Sequence, residues 1–261
     1  VLISVIVSTY NRPDALNLVL QSLNQQTDTN FEIIVADDGS REETRVLVES
    51  FQKFHHQMIK YVWQEDLGFR AAAVRNLAIT KSVGTYFIFL DGDCIAQPDF
   101  IARHRCLSEY NYMITGSRIL LDKSFTIKLL TNLKWDFSEF KRHLLFKRLN
   151  NSINKYIVFY LKFCFSFLRY YNGFEWRRIK GCNFACWRRD FELVQGYDET
   201  FEGWGHEDAD LAFRLHSVGV RRKSGSFATE VLHLYHADND RSKEKENEAK
   251  LLQRILNAPN L

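Results

Sequence analysis

The sequence predicts an α/β fold, with a mostly parallel central sheet and helices on both faces. Three observations predict it. Short runs rich in Val, Ile and Phe, the composition of strands buried on both faces, recur through the first hundred residues. Between them lie stretches with helical character, giving a βαβαβαβ order that right-handed crossovers turn into a parallel sheet. Aspartates cluster where these strands end, and open α/β sheets bind ligands at the carboxyl ends of their strands.

LISVIVSTY is the first strand. Pro13 opens the helix that follows, and Leu16, Val19, Leu20 and Leu23 fall at i, i+3, i+4 and i+7 as a core-facing stripe. FEIIVADDGS is a second strand, running into Asp37, Asp38 and a turn. A charged helix over roughly 41–54 leads to the strand MIKYVWQ, and FRAAAVRNLAITKS is the next helix. Gly84 opens the strand of GTYFIFLDGDC, which delivers Asp91 and Asp93 with one glycine between them. Residues 119–177 break the alternation and read as a basic, aromatic, helical insertion. Beyond it, KGCNFACWRRDFELVQGY reads as a strand and a short helix, and HEDADLAFRLHSVG as a helix. TEVLHLYH reads as a strand ending in histidines, and RSKEKENEAKLLQRILN as a charged helix. The expected organisation is one α/β unit in two halves, 1–118 and 178–240, split by the insertion and followed by a C-terminal helix in 241–261.

The chain has 261 residues, 46% hydrophobic and 26% charged, ordinary for a soluble globular protein with one sizeable core. The net charge of +3 hides an asymmetry. From Arg118 to Lys180, 14 Lys and Arg face 4 Asp and Glu, a local net of +10 that leaves −7 for the rest. A basic stretch in an otherwise acidic protein implies an anionic partner for that stretch. Five cysteines, odd in number and sparse, exclude a secreted disulfide scaffold and fit a reducing, cytoplasmic setting. Cys182 and Cys186 have no second pair to complete a zinc site. The chain starts on a strand without the pattern of a secretory signal, and its most apolar stretch, 156–171, is interrupted by Lys162 and Arg169, so no membrane span is expected. Neither a G-x-G-x-x-G fingerprint nor a P-loop is present. A nucleotide bound here would need a metal to offset much of its diphosphate charge.

Four polar clusters stand at strand or helix ends: Asp37/Asp38, Asp91/Asp93, Glu207/Asp208 and His233/His236. Singly, each has an ordinary reading as a turn, a solvated loop, an acidic helix N-terminus or a structural histidine pair. Together they suit a divalent cation. Carboxylates take Mg2+ or Mn2+, and imidazole shifts the preference toward Mn2+. Asp93 with His236 would leave coordination positions open for diphosphate oxygens, with Asp208 nearby as a free carboxylate. That set supports metal-assisted displacement of a nucleoside diphosphate.

VSTYN, VADDGS, EDLGFRAAAVRN, FLDGDC and GYDETFEGWGHEDADLAFRL together resemble the family 2 glycosyltransferases of the GT-A fold, a Rossmann-like fold of nucleotide-diphospho-sugar transferases. The second half resembles the C-terminal segment shared by β-1,4-galactosyltransferases and the bacterial chondroitin polymerase. The resemblance covers about residues 1–118 and 178–240. It implies that Tyr10, after Ser8 and Thr9, borders the uracil of a UDP-sugar and that Asp38 hydrogen-bonds the base. Asp66 and Arg75 would hold the ribose and phosphate region, and Asp91 the ribose or donor sugar. Asp93, His236 and His233 would bind the metal, and Trp204 the acceptor sugar. Glu207 and Asp208 would stand beside it, with Asp208 as general base. The implied reaction is inverting transfer of a hexose or N-acetylhexosamine to a bacterial surface polysaccharide, lipopolysaccharide or capsule glycan. VADDGS leaves open whether Asp37 or Asp38 faces the base; Asp38, nearest the turn, is preferred. His206 stands where these relatives often carry a second glycine.

Two compatible readings fit the insertion: a helical subdomain packed on the sheet, and a surface that meets an anionic membrane. Basic groups near an anionic leaflet contribute roughly 1 kcal/mol each, and aromatics suit the interface. The second would make the protein peripheral on the inner face of a membrane and suit a lipid-linked acceptor. Nucleic acid is not an expected partner, because no nucleic-acid module accompanies the charge. A haloacid-dehalogenase-type phosphatase would place its Asp-x-Asp near the N-terminus and follow it with Thr or Val, whereas here Cys94 follows. A sugar- or lipid-binding protein without turnover would have no need of the Asp93, Asp208 and His236 set.

Overall fold

β-Branched residues dominate ISVIVST, which forms β1 (Ile3–Thr9) between two parallel neighbours and is buried on both faces. The computed structural model describes residues 1–54, 58–164 and 167–258. After β1 come α1 (Pro13–Asn24), β2 (Phe31–Asp37), α2 (Glu42–Phe54), β3 (Ile59–Trp63), α3 (Ala71–Lys81) and β4 (Tyr86–Asp91). Next are β5 (Cys94–Ala96), α4 (Phe100–Leu107), β6 (Tyr112–Thr115) and β7 (Arg118–Leu120). The insertion supplies α5 (Lys123–Asn132), α6 (Phe137–Lys141), α7 (Leu144–Leu149) and β8 (Tyr170–Tyr171). The chain continues through β9 (Asn183–Trp187), α8 (Arg188–Leu193), α9 (Glu207–Ser217), β10 (Arg221–Ser224), β11 (Val231–His233) and α10 (Glu244–Asn257).

The main sheet runs β3-β2-β1-β4-β9-β6-β10-β8. Its first four strands are parallel, β9 is antiparallel to both β4 and β6, and β10 is parallel to β6. One face packs Val5, Val7, Ile33, Ile88 and Leu90 with the predicted stripe of α1; the other packs Ile6, Ile34, Phe87 and Phe89 with apolar residues of α3, α8 and α9. This is the expected architecture of a mostly parallel sheet with helices on both faces.

The segment 119–177 is less helical than expected. Its helices are short, with Leu133, His143 and Asn151 in left-handed backbone at or just past their ends, and 3-10 turns of three residues follow at Ile157–Phe159, Phe167–Arg169 and Trp176–Arg178. Trp135, Phe140 and Leu144 reach into the main core, while Phe146, Leu149, Phe167 and Leu168 are exposed. The 118/119 division falls inside β7. β11 also stops sooner than TEVLHLYH suggests, at His233, so His236 lies in the irregular segment that follows. Five short strands, β6, β7, β8, β10 and β5, are not expected from the sequence, and the one that bears on the site is β5. Together with β7 it flanks β11 in a separate three-stranded sheet, with His233 opposite Cys94. Among the described residues no helix is long and apolar enough to cross a membrane.

The outer strands of the parallel half are tied by Glu32. Its buried carboxylate accepts from Ser4 Oγ (2.7 Å), Lys60 Nζ (2.8 Å) and the Val83 and Gly84 N–H groups (2.6 and 3.1 Å). Burial pushes this carboxyl up, but Lys60, Ser4 and the Val83 N–H outweigh it and hold it below its usual range. A depressed carboxyl adds stability that is present above its unfolded pKa and lost as the pH falls through the folded one. Glu32→Gln should therefore cost about 2–3 kcal/mol in urea unfolding near neutral pH, and the gap to the parent protein should close in acid.

Candidate active site

The parallel strands end level with one another, so their last residues form one rim. Ser8 stands opposite Asp91 and Thr9 opposite Asp37. Ser8 Oγ donates to Asp91 at 3.1 Å, and the Gly92 N–H donates to the Ser8 carbonyl at 2.7 Å. Tyr10 projects from this rim with its ring 48% exposed and its hydroxyl donating to Asp66 at 2.8 Å. Gly39 adopts φ +93°, and a side chain there would collide with the Asp66 backbone, so the β2 turn and the loop after β3 close on each other. Asp37 is fully buried, accepting from the Ser40 N–H and from Tyr61 Oη. Asp38 is nearer the surface, its two oxygens accepting from Gln64 Nε2 (2.5 Å) and the Arg70 N–H (2.7 Å). Burial pushes its carboxyl up despite those bonds.

Arg75, expected against the ribose and phosphates, lies beneath the cleft and is only 4% exposed. It projects from α3. Its Nη1 donates to Glu207 at 3.0 Å and Asp208 at 3.2 Å, and its Nη2 to Asp91 at 3.2 Å. The guanidinium also sits 5.3 Å from the centre of the Tyr197 ring, and Tyr197 Oη donates to Asp208 at 3.3 Å. Burial works against the charge on Arg75, and Asp208, Tyr197, Asp91 and Glu207 outweigh it, so the cation persists. Asp208 is pushed up to about 7, first by burial and then by the Glu207 charge, which together exceed the pull of Arg75. A carboxylate poised there can exchange a proton near neutral pH. Gly181 makes room for it, since a Cβ at that position would overlap the Asp208 carboxylate.

Glu207 and Asp208 occupy the first turn of α9, where acids suit the helix macrodipole. The GWGH turn before it places His206 at φ +73°, a conformation that costs a residue with a side chain about 1–2 kcal/mol. This is the position where a glycine was the expected residue. The His206 ring lies 5.2 Å from Trp176 at the end of the insertion, and the Arg241 guanidinium covers Trp204 at 4.6 Å.

Asp93 faces away from this network and toward the histidines. His236 Nε2 is 3.4 Å from one Asp93 oxygen and His233 Nε2 3.8 Å from the other, with the two rings 5.2 Å apart. His236 Nδ1 donates to the Ala237 carbonyl at 2.7 Å, which leaves Nε2 as the nitrogen that faces Asp93. Burial holds His233 below its usual range and therefore neutral, the form that ligates a metal. Cys94 joins the cluster, with its sulfur 3.5 Å from Asp93. Burial, then Cys182, pushes that thiol well up, so it stays protonated. One carboxylate and two imidazoles fit a divalent cation such as Mn2+. Sequence reasoning missed Tyr197 and Cys94: a tyrosine in GYDET carries no motif of its own, and Cys94 became relevant only when β5 paired with β11.

A family profile described as Glycosyl transferase family 2 matches residues 4–173, and a second, described as N-terminal domain of galactosyltransferase, matches residues 164–237. Validoxylamine A glucosyltransferase of Streptomyces hygroscopicus subsp. jinggangensis is 31% identical over 228 residues, covering 84% of this chain and 52% of the relative. Chondroitin synthase of Escherichia coli is 29% identical over 237 residues, covering 85% of this chain and 33% of the relative. The chain thus spans about half or less of the length of these relatives. A crystal structure of GalNAc-T7 with UDP, GalNAc and Mn2+ superposes with a TM-score of 0.67 at 16% identity, over 96% of this chain and 48% of that one. The architecture is the GT-A fold.

Removing the buried cation while leaving its three carboxylates should be severe. Arg75→Met is expected to cost about 3–5 kcal/mol in chemical denaturation at pH 8. The cost should shrink at pH 5.5, because unopposed carboxylates take up protons.

Proposed function

The chain belongs to glycosyl transferase family 2, and from that premise we propose that it is a metal-dependent, inverting enzyme. It moves a hexose or N-acetylhexosamine from a UDP-sugar to a glycan acceptor of a bacterial surface polysaccharide, lipopolysaccharide or capsule. The observation that carries this reading is the pairing of two clusters at one sheet edge: a carboxylate poised near neutrality at Asp208 and the cation donor set Asp93, His233 and His236.

Asp208, seconded by Glu207, takes the proton from an acceptor hydroxyl as that oxygen attacks the anomeric carbon, and the bond from that carbon to the diphosphate breaks on the opposite face. Mn2+, or Mg2+ with lower preference, held by Asp93, His233 and His236 would supply the positive charge that stabilises the leaving diphosphate. The exposed Tyr10 ring offers the uracil a stacking face beside Ser8, Thr9 and Asp38, with Asp66 at the ribose and Asp91 toward the ribose or donor sugar. Trp204 is the platform for the acceptor sugar. Arg75, engaged by three carboxylates, serves as a positioning residue for Asp208 and leaves the phosphates to the metal site.

Calorimetric titration of UDP, GDP and CDP into metal-stripped protein tests the donor assignment. UDP should bind, Mn2+ should strengthen it more than Mg2+, and Asp93→Ala should abolish the metal effect; no nucleotide binding under either metal would sink the reading. Asp208→Asn should keep UDP binding with Mn2+ and lose about 10²–10⁴-fold in kcat. In the parent enzyme kcat/KM should rise with pH through about 7, as the Asp208 carboxyl loses its proton. Unchanged turnover in Asp208→Asn would remove the base assignment.

The insertion presents exposed Phe146, Leu149, Tyr160, Phe167 and Leu168 within the segment that carries the local charge of +10. This surface would hold the enzyme peripherally against an anionic membrane, where a lipid-linked acceptor lies. The protein should sediment with phosphatidylglycerol vesicles, stay free of phosphatidylcholine vesicles and be released by salt. Equal behaviour with both lipids would refute it.

A further inference from the structure

A second feature of the same sheet edge has no role in the reaction just described. Arg118, Lys155, Arg178, Lys180 and Arg222 line one cavity of about 250 Å3, walled by the end of β6, the start of β7 and β10. Among the described residues, none of Arg118, Lys155, Lys180 and Arg222 has an ion-pair partner, and Arg178 has only Glu175 at 3.6 Å, on half-exposed side chains. Glu230, the other nearby acid, is buried and accepts from the Phe227 N–H.

Arg222 is the most telling of the five. It is only 9% exposed, its guanidinium lies 4.5 Å from the centre of the Tyr171 ring, and its Nε donates to Thr115 Oγ1 at 2.9 Å. Among the described residues its two terminal nitrogens have no protein acceptor. Lys155 is steadied in the same way by Ser117 Oγ at 2.8 Å. Burial depresses both groups, and neighbouring cations add to it, Arg178 at Arg222 and Lys180 with Arg118 at Lys155, against the opposing pull of Tyr171 and Glu175 at Arg222 and of Glu230 at Lys155. Arg222 alone is held out of water, with the half-buried Arg118 and the exposed Lys155, Arg178 and Lys180 around it. A buried guanidinium among cations is unfavourable without an anion to share, and arginine forks match planar carboxylates and phosphates.

Position then says which anion. The Tyr10, Asp38 and Asp66 rim belongs to the β1, β2 and β3 end of the sheet, whereas the cavity lies beyond β9, at β6 and β10. Lys180 directly precedes Gly181, which abuts Asp208, and Arg118 lies in β7 beside the strand that ends at His233. The cavity therefore borders Asp208 through Lys180 and Gly181 and the His233 strand through Arg118, and lies away from the Tyr10, Asp38 and Asp66 rim. We propose that it binds an anionic substituent of the acceptor, a phosphate ester or a uronate carboxylate, so that the acceptor is an acidic glycan. The acceptor assignment rests on the transferase reading; the anion site does not.

The test is calorimetric titration of methyl phosphate, methyl glucuronide and neutral methyl glucoside into the metal-free full chain, its Lys180→Gln and Arg222→Gln variants, and Arg222→Lys. One of the two anions should bind saturably, the glucoside should not, and each Gln variant should weaken binding at least about tenfold. Lys180 is exposed, so its variant tests the site without straining the fold, and Arg222→Lys should recover part of the loss. UDP with Mn2+, added afterwards, should bind as it does without the anion. Whichever anion binds identifies the source as a sugar phosphate or a uronate. Absence of saturable binding, equal affinity in the Gln variants, or displacement of the anion by UDP would overturn the proposal. Loss of UDP binding alone, with the anion still bound, would overturn the transferase reading and leave the cavity intact.

Discussion

One buried guanidinium holds the two halves of this protein in register. Arg75 reaches Asp91, 16 positions away on β4, and Glu207 and Asp208, 132 and 133 positions away on α9. Three carboxylates brought this close would repel one another or take up protons; with a shared cation they stay fixed. The arrangement has an electrostatic consequence. A single positive charge divided among three acids cannot neutralise each of them, so burial and the Glu207 charge prevail at Asp208 and raise its proton affinity. The same contact that locks the fold thereby leaves a carboxylate able to exchange a proton near neutral pH.

The second cluster depends on a different device. The strands β5, β11 and β7 are each three residues long, too short to stand alone, and they form a sheet only because each edge borders the main core. Their pairing puts His233 opposite Cys94, and the Leu234 N–H then donates to the Asp93 carbonyl at 3.0 Å. Backbone hydrogen bonds, rather than side-chain affinity, bring a carboxylate and two imidazoles into one space. A donor set placed by the backbone in this way would lower the ordering cost of binding a cation.

Cations are distributed unevenly along the same edge. Arg75 is surrounded by acids and electrically spent, whereas Arg222 and its neighbours across β9 have almost no acids at all. Neutralisation inside one network and surplus charge in the next would give the cleft a polarity, with positive potential rising on the side of the insertion.

Much of this was legible along the chain, because it follows from local periodicity. Buried β-branched runs, the Leu16–Val19–Leu20–Leu23 stripe and the acids at strand ends identify the α/β fold, and the order of VADDGS, FLDGDC and GWGHED points to the right family. Residues just past a strand end, such as Tyr10 and Asp93, could be placed at the rim from their motifs. What pairs with what could not. Arg75 reads as a phosphate ligand until tertiary packing surrounds it with carboxylates, and Tyr197 has no signature until its hydroxyl meets Asp208. The insertion reads as helical, yet its three helices have only ten, five and six residues, with Leu133, His143 and Asn151 at positive φ beside them. Motifs record which chemistry a chain carries. Burial and contacts between residues far apart in sequence set the charge state and the partner of each group, and only the closed structure supplies them.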